Sequence, residues 1–228
     1  MSEETDIAKK TVRVWDLPTR VFHWSLAILV LLAWVTSEAE GALFWTHLAT
    51  GYGVMGLVVF RLAWGVAGTR HARFSDFLYP WSVVRTHMKE MLQPAPARFL
   101  GHTPAGGWMI VILLAVLAVL VASGLFAGDE GEKGPLAHIA GAGLADGLGE
   151  VHEILNTLLW SLIAVHVAAV LFVSFSTKDN LIRAMWTGRK KNLANLNETV
   201  AEDIPPVGAL RVAASVAFGI AAVVAVLW

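Results

Sequence analysis

The chain has 228 residues, of which 56% are hydrophobic and only 15% are charged, whereas about a quarter of the residues in a soluble domain are charged. This composition indicates a membrane protein, for which no nucleic-acid partner is expected. The net charge of −1 by itself says nothing about nucleic acid or acidic substrates, whereas the distribution of the charges is informative. The absence of cysteine excludes disulfides, thiolate-bound iron–sulfur clusters and haem attached through Cys-x-x-Cys-His, and leaves His as the expected ligand of any metal.

Five apolar stretches are long enough to cross a bilayer, which takes about 20 residues of helix. They are called spans one to five, at about residues 21–37, 44–68, 105–127, 149–175 and 207–228. All are predicted to be helices, because an open strand edge cannot be satisfied in lipid. The predicted fold is therefore an all-α integral membrane protein, a transmembrane bundle of four helices plus a fifth C-terminal transmembrane helix. Its predicted parts are an N-terminal segment, the four-helix core, a connector and the fifth helix, at residues 1–20, 21–175, 176–206 and 207–228.

The distribution of Lys and Arg predicts the orientation of the chain in the membrane. The first and third interhelix loops are acidic and hold a single basic residue, Lys133. The other basic residues lie in the N-terminal segment, the second loop, the fourth loop or the adjoining helix ends. The positive-inside rule then places the N-terminus in the cytoplasm and the C-terminus outside. No cleavable leader precedes span one, so span one is expected to remain in the mature protein.

The basic residues of the fourth loop, Lys190 among them, are interpreted as an ordinary anchor at the inner membrane surface. The second loop, residues 69–103, is the longest. Its stretch 74–92 mixes aromatic and apolar residues with charges, and either lies along the inner membrane surface or is a solvated connector.

Four of the eight histidines fall within predicted spans, where ionisable residues are expensive and usually functional. His152 and His166 lie fourteen residues apart in span four, which is two heptads and about 21 Å of helix. Both side chains therefore face the same interior seam of a left-handed bundle, one near each membrane surface.

Two further histidines lie at matching depths on other spans. His23 is near the inner start of span one, at the level of His166, and His47 opens span two on the outer side, at the level of His152. Each level thus holds two imidazoles, which are good axial ligands of haem iron, and ligation by two His favours electron transfer. The four-helix core is predicted to bind two b-type haems, one above the other.

Span two offers two more candidate cofactor-binding residues. Gly51, with two further glycines behind it, lets the backbone come close either to a flat macrocycle or to another helix. Arg61 lies fourteen residues after His47, on the same face and at the inner level. It suits either a haem propionate or a snorkelling position at the membrane surface.

The sequence also resembles a known family, the bacterial and nickel-hydrogenase-type cytochromes b561. Besides the spacing of the histidines, the resemblance rests on residues 14–24 (VWDLPTRVFHW), 73–77 (RFSDF) and 101–108 (GHTPAGGW). It covers about residues 12–191 and implies a dihaem membrane cytochrome b. It also implies a bacterial inner membrane, with the C-terminus in the periplasm. It further implies that the axial ligands of its two b haems are His23, His47, His152 and His166.

The resemblance implies respiratory electron transport between the membrane quinone pool and a redox partner, either a periplasmic cytochrome c or a dehydrogenase such as hydrogenase. A second hypothesis is a self-contained superoxide or quinol oxidoreductase that acts at the outer haem, and activity of the purified chain alone would distinguish the two. A third is a transporter or proton channel with a histidine relay, which needs no haem. The sequence leaves open whether the chain forms a homodimer, and whether the fifth span packs on a partner subunit or only anchors the tail.

The remaining histidines lie in predicted loops. His71, His87 and His102 belong to the second loop and His138 to the third, and each is expected to be a solvated or hydrogen-bonded loop residue. A role for His87 and His102 in proton exchange with a quinone at the inner surface, or for His138 at the outer surface, stays open at this point.

Overall fold

The computed structural model describes residues 11–37, 40–91, 93, 98–128, 133–191 and 207–228. Five helices in these ranges are long and apolar enough to cross a membrane. They are α1 (Leu17–Val35), α2 (Ala42–Ala67), α5 (Pro104–Phe126), α7 (Ala142–Thr177) and α9 (Ala209–Leu227). Each coincides with one of the five predicted spans, so the all-α transmembrane fold is confirmed.

Short elements connect the long helices. They are β1 (Thr11–Arg13), α3 (Phe74–Phe77), α4 (Trp81–Glu90), α6 (Ala137–Ala140), α8 (Leu181–Thr187) and β2 (Arg189–Lys191). The two strands pair antiparallel, with Val12 opposite Lys190. The stretch 74–92 of the second loop, whose character the sequence left open, is thus mostly helical.

Several predictions concern segments outside the described residues. They include the first half of the N-terminal segment, residues 192–206 of the connector, and the third-loop residues Asp129, Glu130 and Glu132.

Polar side chains define where three helices begin. Asp16 precedes α1, and its Oδ1 accepts a hydrogen bond of 2.7 Å from the backbone N–H of Thr19. Thr103 precedes α5, and its hydroxyl accepts one of 3.0 Å from the N–H of Gly106. Asn180 caps α8 in the same way. An acceptor at this position satisfies one of the N–H groups that the first helical turn leaves unbonded.

The chain divides into two compact units. The bundle unit comprises Phe22–Ala63, Val111–Ala164 and Ala213–Trp228. Its core is a cluster of buried apolar residues from three helices, namely Val54, Val58, Leu117 and Leu159. Because lipid is as apolar as these side chains, the cluster stabilises this unit through close van der Waals packing and not through removal of apolar surface from water.

The fifth helix packs directly on the second within the bundle unit. A Cβ added at Gly219 of α9 would lie 2.5 Å from the carbonyl oxygen of Gly56 in α2, so the two backbones touch through glycines. Small residues at a contact of this kind are typical of helices packed in a membrane. The contact shows that α9 is part of the bundle unit.

The loop unit comprises Met1–Val21, Trp64–Ile110 and Val165–Val212. Asp16 is 4% exposed there, and its Oδ2 accepts hydrogen bonds from Trp64 Nε1 at 3.2 Å and from the Thr69 hydroxyl at 2.6 Å. This one carboxylate thereby ties the start of α1 to the end of α2 and to the second loop.

Candidate haem site

The structure brings together the two histidines that the sequence assigned to the outer level. His47 of α2 and His152 of α7 both lie in the bundle unit and are half-buried. Their ring centroids are 6.2 Å apart, and the planes of the two rings are inclined at 75°.

This separation fits two ligands on opposite sides of one metal ion. Two imidazoles that bind one metal, each through a bond of about 2 Å with the ring centre about 1 Å farther out, have centroids about 6 Å apart. Among the described residues no group of three or more His, Cys, Asp or Glu side chains could hold a metal ion. In a haem the macrocycle supplies the other ligands of the iron, so that a pair of imidazoles is the protein's whole contribution.

A backbone carbonyl orients the ring of His47. Its Nδ1 lies 2.8 Å from the carbonyl oxygen of Ala33, near the end of α1. The last four carbonyls of a helix have no N–H partner within the helix. Here the N–H of Ser37 bonds the carbonyl of Trp34 instead of continuing the α-helical pattern to Ala33. The end of α1 therefore leaves an acceptor for His47.

A second carbonyl orients the ring of His152. Its Nδ1 lies 2.8 Å from the carbonyl oxygen of Leu120 in α5. The hydroxyl of Ser123 donates to the same carbonyl at 2.9 Å. Gly124 makes the approach of the ring possible, because a Cβ there would lie 2.7 Å from Cε1 and 2.8 Å from Nδ1 of His152. No pattern in the sequence marks Gly124 or either carbonyl as part of the site.

These two hydrogen bonds set the tautomer of both rings. A carbonyl oxygen only accepts, so Nδ1 of each imidazole must carry the proton and donate it. Each Nε2 then keeps its lone pair, which is the form that binds a metal, and the second hydrogen bond fixes the direction of the ring. The donor set at His47 and His152 is therefore chemically suited to haem iron.

The surroundings of His47 include open space and an aromatic ring. Gly51, one turn farther along α2, has no atom within 4 Å of the place where a Cβ would stand. Phe44 lies nearly parallel to His47, with ring centroids 6.5 Å apart and an angle of 14° between the planes. Arg61 also lies on α2 and is 2% exposed, so it is not a snorkelling residue at the protein surface.

The inner pair of histidines remains a prediction. His23 of α1 belongs to the bundle unit and His166 of α7 to the loop unit. Both rings are half-buried, and the indole ring of Trp24 lies perpendicular to His23 at 5.1 Å.

Two loop residues differ from their sequence-based interpretation. His87 is neither solvated nor hydrogen-bonded within the described residues, since it is 3% exposed and neither ring nitrogen has a partner there. Lys190 is not a surface anchor, since it is 4% exposed and lies 3.4 Å from a carboxylate oxygen of Asp179. His102 lies among aromatic rings, and the centroid of its ring is 4.6 Å from that of Trp15 and 4.5 Å from that of Phe77.

Comparison with known sequences identifies the family. The family described as prokaryotic cytochrome b561 matches residues 14–188, a range that contains His23, His47, His152 and His166. The chain belongs to this family. It is therefore a multi-pass membrane cytochrome of the b type, as the sequence motifs indicated.

Similar proteins are probable Ni/Fe-hydrogenase B-type cytochrome subunits. That of Azotobacter vinelandii is 27% identical over 143 residues, which are 50% of this chain and 58% of the relative. That of Rhodobacter capsulatus is 22% identical over 80% of this chain and 82% of its own length. The Bradyrhizobium diazoefficiens protein is 22% identical over 83% of this chain and 90% of its own. The chain thus matches little more than half the length of the Azotobacter relative, and no solved structure matches it significantly.

Proposed function

We propose that the chain binds two b haems, an outer one between His47 and His152 and an inner one between His23 and His166. The observation that carries this proposal is the outer pair, in which two imidazoles stand 6.2 Å apart with both Nδ1 atoms bonded to carbonyls. A histidine with a purely structural role needs no second imidazole at this distance. The contact between the two rings would stabilise the protein little unless both rings bound the same ligand.

The inner haem is supported by the helices that carry the outer one. His166 follows His152 by fourteen residues on α7, which continues without interruption from Ala142 to Thr177. Such a separation corresponds to about 21 Å along the axis and returns the side chain to the same face. His23 lies on α1, the helix whose other end supplies the Ala33 carbonyl to the outer pair.

Haem iron, when bound, supplies a one-electron couple between its ferric and ferrous forms. His47 and His152 would hold the outer haem iron and His23 and His166 the inner one, which would leave no position on either iron for dioxygen or water. The bonds from Nδ1 to the carbonyls of Ala33 and Leu120 make the imidazoles of His47 and His152 more basic, which would favour the ferric form of a bound haem and lower its reduction potential. Gly51 gives a macrocycle access to the backbone of α2, and Arg61 is the buried cation of that helix that suits a propionate.

The electrons are proposed to pass between the membrane quinone pool and a hydrogenase-type partner. The printed names of the relatives support this partner. The distribution of Lys and Arg supports an inner-membrane location with the N-terminus in the cytoplasm and the outer haem near the periplasmic side. A periplasmic cytochrome c is the alternative partner for the same outer haem.

Single-histidine variants of the purified full chain test the assignment of the ligands. Replacement of His47 or His152 by Leu should abolish the outer haem and leave the inner one, so that the haem-to-protein ratio falls from about two to about one. Replacement of His23 or His166 should remove the other haem. His138→Gln is the matched control, since His138 is an exposed residue of α6 and should leave both haems in place. Equal loss of both haems in all four variants, with the fold retained, would contradict the pairing.

A further inference from the structure

The second loop is held against the start of α5. The backbone carbonyl of Phe77 lies against Gly107, where a Cβ would stand only 2.5 Å from that oxygen. The indole Nε1–H of Trp108, the next residue of α5, donates a hydrogen bond of 3.0 Å to the carbonyl oxygen of Tyr79. Both contacts are made by the first turns of a helix that is long and apolar enough to cross the membrane. Residues 77–79 therefore lie at the level where α5 enters the membrane.

The same segment is held against the end of α2, the preceding membrane span. The ring of Phe74 occupies the space where a side chain of Gly65 would stand, and α2 ends shortly afterwards at Ala67. The end of α2 and the start of α5 mark the same membrane surface, because the second loop joins them. Since α4 begins at Trp81, directly after this segment, it starts in the headgroup region of that surface.

The far end of α4 is tied to the same place. The ring of His87, in the last turn of α4, is perpendicular to that of Phe99, and the two centroids are 5.1 Å apart. Phe99 lies in the short stretch before Pro104, where α5 begins. This contact brings the end of α4 back to the neighbourhood of α5, as expected of a helix that runs along the membrane surface.

The side chains of α4 form three stripes, of which one is buried, one is polar and one is apolar but exposed. At about 3.6 residues per turn, residues three, four and seven apart lie on the same side of the helix. The stripes are Val84 with His87, then Ser82 with Thr86 and Lys89, and then Trp81 with Met88. Trp81 and Met88 are 62% and 52% exposed, so the described part of the protein leaves the apolar stripe uncovered.

The charges of α4 indicate what covers the apolar stripe. Arg85 is exposed and lies between the apolar stripe and the polar one, one turn after Trp81. The opposite edge of the helix carries Val83 and the acidic Glu90. Apolar side chains, then a cation, then polar side chains follow one another as they do across a headgroup layer, where the cation reaches the phosphates. The acidic edge would be repelled by the same phosphates.

We propose that α4 lies in the headgroup layer of the membrane, with Trp81 and Met88 among the lipid chains. Arg85 and Lys89 bind the phosphate groups of anionic phospholipids there, and the rest of the polar stripe faces water. An indole ring is typical of this layer, and lipid covers the apolar stripe that the protein leaves exposed. The second loop is then an interfacial segment and not a solvated connector. This placement is independent of the number of haems and of the redox partner.

Single-cysteine variants test the placement, because the chain has no cysteine of its own. A nitroxide is attached to Met88→Cys, Thr86→Cys or Val83→Cys in the full chain with its haem, in nanodiscs of phosphatidylglycerol and phosphatidylcholine. Electron paramagnetic resonance measures collisions with oxygen, which dissolves in lipid, and with a neutral nickel chelate, which stays in water. The label should meet mainly oxygen in Met88→Cys and mainly the nickel chelate in Thr86→Cys and Val83→Cys.

The three labelled positions differ in direction and not in burial, since all are exposed residues of one helix. The haem spectrum of each labelled variant shows whether it is folded. Access of the nickel chelate at all three positions would overturn the proposal and make the second loop a solvated connector. Access of oxygen at Val83→Cys or Thr86→Cys would also overturn it, because another side of α4 would then face lipid.

The anionic headgroup is tested separately, by native mass spectrometry of the full chain in detergent at limiting lipid. Phosphatidylglycerol should bind more tightly than phosphatidylcholine, and Arg85→Gln should lower this preference about fivefold, which is the contribution of one cation at a membrane surface. Lys133→Gln is the matched control, because it removes one exposed charge from the third loop and should leave the preference unchanged. An equal effect of the two substitutions, or no effect of Arg85→Gln, would overturn the assignment of anionic phospholipid to α4.

Discussion

The contact between Gly124 of α5 and His152 leads to a strong prediction about the outer haem, because the His152 ring occupies the space where a side chain of residue 124 would lie. A Cβ at Gly124 would lie 2.7 Å from Cε1 and 2.8 Å from Nδ1 of that ring. Carbon atoms in contact are about 3.5–4.0 Å apart, so in Gly124→Ala the ring must withdraw by about 1 Å. The bond from His152 Nδ1 to the Leu120 carbonyl, now 2.8 Å, would then exceed hydrogen-bonding distance.

Loss of this bond should weaken the binding of the outer haem, although both histidine ligands remain. Hydrogen bonds that orient a metal-binding His are worth about 10–100-fold in affinity, or about 1.4–2.8 kcal/mol. The assay is haem titration of Gly124→Ala, followed by the pyridine haemochrome at limiting haem and by redox potentiometry. One of two haems should become labile while the other keeps its midpoint potential.

A matched variant controls for the added methyl group. Gly143→Ala lies in α7, where no atom stands within 4 Å of the new Cβ, and it should bind both haems as the unaltered chain does. Two tightly bound haems with unchanged potentials in Gly124→Ala would refute the reasoning that the Leu120 carbonyl positions His152.

Three further predictions concern stability. Asp16→Ala should lower the free energy of unfolding by about 3 kcal/mol, because it removes a helix cap and leaves buried donors unbonded, whereas the exposed Asp76→Ala should change it by less than about 1 kcal/mol. Reversible unfolding in mixed micelles measures both, and equal effects would contradict the role of Asp16. Gly219→Ala should lower the midpoint temperature of unfolding, because its Cβ cannot fit against the backbone of α2, while the spectra of both haems persist. An unchanged midpoint temperature would show that α9 is not packed against α2. Because burial lowers the pKa of His87 below its ordinary 6.5, the unfolded chain binds a proton before the folded chain as the pH falls, and stability is lost below pH 6.5. His87→Leu in lipid-free detergent should show a shallower decline over this range, and an identical pH profile would rule out this contribution.

The five transmembrane helices were predictable because about 20 apolar residues have one stable form in lipid. Their ends were less predictable. Span four was predicted from residue 149, but α7 begins at Ala142, because a helix can continue past the membrane through residues that hydropathy does not mark. Span one was predicted from residue 21, but α1 begins at Leu17, directly after the cap at Asp16. A one-residue cap changes hydropathy little.

The strands β1 and β2 were not predicted. Each has three residues, and they pair residues that lie far apart in the chain, with Val12 opposite Lys190. A strand this short carries too few residues for an alternating pattern, so only its partner defines it. The same holds for Lys190, whose burial depends on its approach to Phe99 and Asp179.

The outer histidine pair was predictable in its residues and not in its surroundings. Helical spacing and depth place His47 and His152 at one level, and the structure has their rings 6.2 Å apart. The carbonyls that orient them, and Gly124, could not be recognised, because their roles depend on how neighbouring helices are rotated and shifted against each other. Sequence periodicity gives the face of a helix, and the register between helices requires the packed structure.

The central claim is best tested by the dithionite-reduced minus oxidised visible spectrum of the purified chain, combined with the haem-to-protein ratio from the pyridine haemochrome. The account predicts two b-type haems per chain, both low-spin in the oxidised form because each iron has two imidazole ligands. A single haem per chain, from cells that supply haem in excess, would contradict the dihaem assignment.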